Sequence, residues 1–128
     1  MYELAKDPTV QERLYEELCN VKLESDDFYD TVMNKLPYLN AVVSETLRKY
    51  PPVNRLERRA GVSGYKLGGV TLQKNQMVYV SQYAMQHDPE LFPDPESFQP
   101  ERFLPENKHL IVPYSYNPFG TGPRNFEF

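Results

Sequence analysis

The chain has 128 residues, with 14 basic side chains against 18 acidic ones and a formal net charge of −4; 40% of it is hydrophobic, including ten Tyr and seven Phe. That is enough apolar material for one packed domain and excludes an acidic disordered tail, while twelve Pro beside only six Gly exclude a collagen-like or Gly-rich linker chain. The single Cys, Cys19, excludes a disulfide framework or a multi-Cys metal centre, and His87 and His109 are too few and too far apart for a His-based one. No apolar run approaches the roughly 20 residues of a membrane span, and no basic region follows Met1 as a secretory leader requires.

The first element opens at Asp7-Pro8, an N-cap followed by a residue whose missing N–H costs nothing at that position. Val10, Leu14, Leu18 and Val21 then keep one face apolar, with Glu12, Glu16 and Glu17 outside it, and predict a surface helix to about Asn20. Cys19 reads as a small helix residue near the core. A polar, acidic loop leads to a short helical stretch over residues 29–34. Pro37 opens a second helix whose stripe is Leu39, Val42, Val43, Thr46, Leu47 and Tyr50, and Pro51-Pro52 ends it.

After residue 60 the period shortens. Residues 62–67, 70–72 and 77–81 are β-branched and Tyr-rich, and Gly68-Gly69 and Lys74-Asn75-Gln76 separate them, which predicts small antiparallel strands. From Asp88 onward Pro recurs too often for long helices or central strands. That half is either an ordered coil with helical turns or disordered, and Phe92, Phe98, Phe103, Tyr114, Tyr116 and Phe119 favour the ordered form. The fold class is therefore mainly α with a small antiparallel β part.

Charge is unevenly placed. Residues 1–30 carry nine acids against three bases, whereas in residues 48–66 Arg48, Lys49, Arg55, Arg58, Arg59 and Lys66 face only Glu57. So narrow a basic cluster between acidic flanks suits a small anionic cofactor, and no nucleic acid is expected as a partner.

Three short strings carry the most chemistry. Glu45 and Arg48 are three apart on the second helix and lie off its apolar stripe, which taken alone predicts a solvated ion pair. Pro100-Glu-Arg-Phe103 is either a solvated turn or a rigid coil whose Arg102 folds back to share the Glu45 carboxylate. In Phe119-Gly-Thr-Gly-Pro-Arg-Asn125, Gly120 and Gly122 permit a tight loop that sets Arg124 in place; no helix with Lys-Ser/Thr follows, so it is not a phosphate-binding loop.

In that order, the three strings resemble the helix K, meander and haem-loop signatures of the cytochrome P-450 monooxygenases, and Asn54-Arg-Leu-Glu-Arg58, Ser81-Gln-Tyr-Ala84 and His87-Asp-Pro89 are similar to the vertebrate subfamily 3A branch. The resemblance covers nearly the whole chain and roughly the last third of the family's length. It implies a single partial domain over 1–128, spanning helices J to K, short strands, the meander and a truncated haem loop: 1–60 helical, 61–82 short strands, 83–128 meander and haem loop. Residues 2–6 resemble the tail of the long oxygen-binding helix. Glu45, Arg48 and Arg102 would form a buried structural triad, against the solvated reading. Arg58 and Arg124 would hold the propionates of haem b, Phe119, Gly120 and Gly122 would shape the haem loop, and Pro52, Val53 and Asn54 would line the substrate pocket.

Family members oxidise lipophilic substrates such as steroids and xenobiotics with dioxygen, taking electrons from NADPH-cytochrome reductase at the endoplasmic reticulum membrane. The resemblance also exposes a departure. Two residues after the loop Arg the family places the Cys whose thiolate ligates the iron; here that position is Phe126, and Cys19 is no substitute. The expectation is an inactive truncated chain without catalytic residues or a metal ligand of its own, cytosolic if expressed alone because the family's membrane anchor precedes this region. It is also expected to expose apolar surface at Leu39, Val42, Val43 and Leu47.

Overall fold

A computed structural model describes residues 1–21 and 35–120. The helical stretch expected at 29–34 and the loop residues Gly122, Arg124 and Phe126 lie outside them. In chain order the elements are α1 (Tyr2–Lys6), α2 (Pro8–Cys19), α3 (Pro37–Lys49), β1 (Arg55–Arg59), β2 (Tyr65–Leu67), β3 (Val70–Leu72), β4 (Met77–Ser81) and α4 (Gln82–Gln86), followed by coil with 3-10 turns at Pro100–Phe103 and Lys108–Leu110. The α+β class stands.

α2 begins as its sequence dictates: Asp7 Oδ1 accepts from the N–H groups of Thr9 and Val10 at 3.0 and 3.2 Å. α3 has no side-chain cap of its own. Glu17, from α2, serves instead, accepting from the N–H groups of Tyr38 and Leu39 at 2.8 Å each and placing a negative charge at the positive end of the helix dipole. Its position off the apolar face of α2 is thus the position facing α3.

The core joins Val10 and Leu14 of α2 to Tyr38, Ala41 and Val42 of α3 and to Phe92, Phe103 and Leu104 of the coil. Each Val, Leu and Phe side chain among them contributes roughly 1.5–3 kcal/mol by leaving water. The Pro-rich coil is ordered by this packing and by its own turns, such as Phe92 N–H to the Asp88 carbonyl at 2.8 Å and Lys108 N–H to the Leu104 carbonyl at 2.9 Å.

Four expectations are corrected. The buried face of α3 is Tyr38, Ala41, Val42, Glu45 and Arg48; of the expected apolar stripe only Val42 belongs to it, so Val42 is not among the exposed apolar residues, whereas Val43 and Tyr50 are exposed. Leu18 is exposed at the end of α2, as is Cys19, which therefore does not sit near the core. Strand structure begins at Arg55, inside the part expected to be helical, because β1 is recruited by β4, with Glu57 opposite Tyr79. Residues 62–64 turn instead of extending, with Gly64 at φ +83°, so only Tyr65–Leu67 pairs with Val70–Leu72.

Candidate functional site

The charged residues at positions 45 and 48 occupy the middle of the fold, and both are fully buried. Arg48 donates from Nε to Glu45 Oε2 at 2.7 Å and from Nη2 to Glu45 Oε1 at 2.9 Å, a bidentate pair within one helical turn. Its remaining donors reach the carbonyls of Gln86 at 2.8 Å through Nη1 and of Pro95 at 2.7 Å through Nη2. Glu45 Oε1 also accepts from the Gln99 N–H at 3.0 Å. α3 thereby holds the end of α4 and the coil around Pro95–Gln99 through a pair of side chains. A buried guanidinium is tolerated here because its polar hydrogens meet acceptors.

Arg102 approaches without completing a shared hydrogen bond. Its Nε lies 3.7 Å from Glu45 Oε1 and has no hydrogen-bond partner, while Nη2 donates to the Asp94 carbonyl at 2.9 Å. Burial pulls the pKa of Arg102 down, and the Glu45 charge opposes this. Glu101, beside it, turns outward to Arg13 of α2 at 2.9 Å. The Tyr38 hydroxyl also donates to Glu101, and burial together with that carboxylate pushes the Tyr38 pKa up to about 12.

Gln86 is a site residue that motif reasoning passed over. Fully buried, it donates from Nε2 to the carbonyls of Leu47 and Arg48 at 3.1 and 2.9 Å, closing the end of α3, and its Oε1 accepts from the Asn117 N–H at 3.3 Å. The clamp at Glu45 and Arg48 thus continues through one amide to the threshold of the 119–125 loop. No motif flagged it; a Gln in a polar stretch resembles a solvated residue until its burial is seen.

Beyond Asn117, Phe119 is partly buried and Gly120 adopts φ +85°, a conformation that favours glycine. A Cβ there would come within 3.6 Å of Leu56 Cδ1 and 3.8 Å of Arg58 Nη2. The start of the loop therefore rests against β1, beside Arg58, whose exposed side chain donates from Nη1 to its neighbour's carbonyl, that of Glu57, at 2.8 Å. This places a positive charge where an anionic group carried by the loop side would meet it. Pro52, Val53 and Asn54 are exposed between α3 and β1, and the Asn54 carbonyl, accepting from the N–H groups of Gln82 and Tyr83 at 3.0 and 3.3 Å, anchors that segment to α4. Three sets of residues are thus brought close: 45, 48 and 102; 86 and 117; 58 and 120.

Among the described residues there is no group of three or more His, Cys, Asp or Glu that could hold a metal ion. No helix of the described residues is long and apolar enough to cross a membrane.

Residues 1–125 match the family described as Cytochrome P450. The chain is 48% identical over 126 residues to Cytochrome P450 3A41 of Mus musculus, an alignment that covers 98% of this chain and 25% of that protein. It is 44% identical over 126 residues both to Cytochrome P450 3A1 of Rattus norvegicus and to Lithocholate 6-beta-hydroxylase of Mesocricetus auratus, again covering 98% of this chain and 25% of each. The chain spans about a quarter of the length of these relatives.

Proposed function

This chain belongs to the cytochrome P450 family, and from that premise we propose that it is a partial domain supplying the helix, strand and loop framework beside the haem of a monooxygenase acting on lipophilic substrates. The whole protein would work at the endoplasmic reticulum membrane with electrons from NADPH-cytochrome reductase. A relative named as a lithocholate 6-beta-hydroxylase supports a steroid among the substrates. The observation that carries the reading is the buried Glu45–Arg48 pair, which fastens α3 to the coil leading into the 119–125 loop.

Each residue has a role in this proposal. Glu45, Arg48 and Arg102 form a structural triad that holds shape and touches no substrate. Arg58 and Arg124 would hold the propionates of haem b, and Phe119, Gly120 and Gly122 would shape the haem loop. Pro52, Val53 and Asn54 face the substrate. Arg58 fits its part, since it stands exposed beside Gly120.

The iron is a different matter. Haem supplies dioxygen activation in this family through a thiolate on the iron, and Phe126, at that position, has no lone pair to offer. We therefore assign this chain no catalytic step and no metal ligand. The reading is tested by titrating the chain with haem: binding that weakens several-fold in Arg58→Ala is expected, and a titration indifferent to that substitution would overturn the role given to Arg58.

A further inference from the structure

Arg48 and Gln86 grip each other from both sides. Arg48 Nη1 donates to the Gln86 carbonyl at 2.8 Å, and Gln86 Nε2 donates to the Arg48 carbonyl at 2.9 Å. The second amide hydrogen of Gln86 goes to the Leu47 carbonyl at 3.1 Å. Each side chain thus fixes the backbone that carries the other, and both are fully buried.

One atom of the amide remains. Gln86 Oε1 accepts from the Asn117 N–H at 3.3 Å. Turning the amide over would set its oxygen against the carbonyls of Leu47 and Arg48 and its nitrogen against an N–H, so the surrounding groups allow one orientation. Asn117 opens a turn in which the Gly120 N–H donates to the Asn117 carbonyl at 3.3 Å. Asn, Pro and Gly at its first, second and fourth positions are residues that such a turn favours, and Pro118 brings a fixed φ. A hold on Asn117 therefore carries to Gly120 within a stiff unit. Gly120 lies against β1, where a Cβ would stand 3.6 Å from Leu56 Cδ1 and 3.8 Å from Arg58 Nη2. Every contact on this path, from the end of α3 to Arg58, joins two described residues, and no further part of the domain is needed to make it.

From this we infer that Gln86 is a positioning residue: its amide holds the Asn117–Gly120 turn at a set distance from the end of α3 and so fixes where the 119–125 loop starts beside Arg58. That this loop and Arg58 serve haem rests on the function proposed above; the placement itself does not. Gln86 touches no substrate and enters no chemical step.

Amide hydrogen exchange on the chain and two variants tests this, with urea midpoints measured alongside. Gln86→Leu removes both arms of the amide. Gln86→Glu keeps an oxygen to accept from Asn117 while giving up the paired donors to Leu47 and Arg48. Both variants are expected to unfold at lower urea. Gln86→Leu alone is expected to speed exchange at Asn117 and Gly120 by about tenfold relative to Phe92 and Lys108, whose N–H groups bond elsewhere in the coil. In Gln86→Glu the ratio should stay at the parent's value, since the acceptor is still present. The inference is overturned by an unchanged ratio in Gln86→Leu, by a ratio raised as much in Gln86→Glu as in Gln86→Leu, or by variants that lose protection everywhere alike. Haem is absent throughout, so the outcome is independent of the titration that tests the proposed function.

Discussion

Replacing Arg48 by Met removes the guanidinium and leaves its partners where they are. Glu45 loses bonds of 2.7 and 2.9 Å while fully buried, and the carbonyls of Gln86 and Pro95 lose donors at 2.8 and 2.7 Å. Breaking a buried ion pair from one side costs about 3–5 kcal/mol, because the remaining charge is stranded away from water. A domain of this size has roughly 5–15 kcal/mol of stability in all, so the variant should unfold at much lower urea. Arg48→Lys keeps the charge but cannot form the two-pronged contact, and should fall between parent and Met. The diagnostic comparison is Glu45→Leu combined with Arg48→Met, which removes both charges. That double variant should be more stable than Arg48→Met alone, since no orphan carboxylate remains. Urea unfolding followed by circular dichroism measures all five chains, Glu45→Leu alone included. A loss under about 1 kcal/mol for Arg48→Met, or a double variant that loses as much as the two single ones summed, would refute the reasoning.

Other perturbations test separate links. Glu17→Ala removes the cap that α2 lends to α3 and should cost about 1 kcal/mol in the same assay. Gln82 is fully buried with both amide atoms unbonded, so Gln82→Met should stabilise the fold by about 1–2 kcal/mol, seen as a higher urea midpoint. Burial works against the Glu3 carboxylate, but hydrogen bonds from Tyr50 and Lys49 and the charges of Lys49 and Lys6 outweigh it and hold its pKa below the ordinary 4.5. A carboxyl depressed by folding stabilises above its unfolded pKa and loses that contribution as the pH falls through the folded value. The stability gap between parent and Glu3→Gln should therefore be full at pH 7 and close on acidification below 4.5, as measured by urea midpoints along a pH series.

The sequence announces its helix starts and its hairpin because those depend on local chemistry. Asp7-Pro8 and Pro37 open helices, and Gly68-Gly69 turns β2 into β3 with both glycines at positive φ. The buried face of α3 escaped a reading by hydrophobicity because two of its residues are charged. Glu45 and Arg48 are buried by satisfying each other and the coil, which no helical wheel registers. β1 escaped because Arg55–Arg59 shows no apolar alternation; only its pairing with β4 makes it a strand. Gln86 looked solvated for the same reason as Arg48, since its partners are carbonyls far away in sequence. What did signal Glu45, Arg48 and Arg102 was the ordered set of three strings, a pattern that reports tertiary constraint where local propensity is silent; Gln86 and β1 lie outside those strings.

The proposed function gives this chain the family's framework with Phe126 where the resemblance places the thiolate ligand of the iron. The reduced, CO-treated absorption spectrum of the purified chain loaded with haem tests that claim most directly. The account predicts no thiolate-type band, because Phe126 occupies the ligand position and Cys19 lies exposed on α2. A thiolate-type band from the unaltered chain would contradict it.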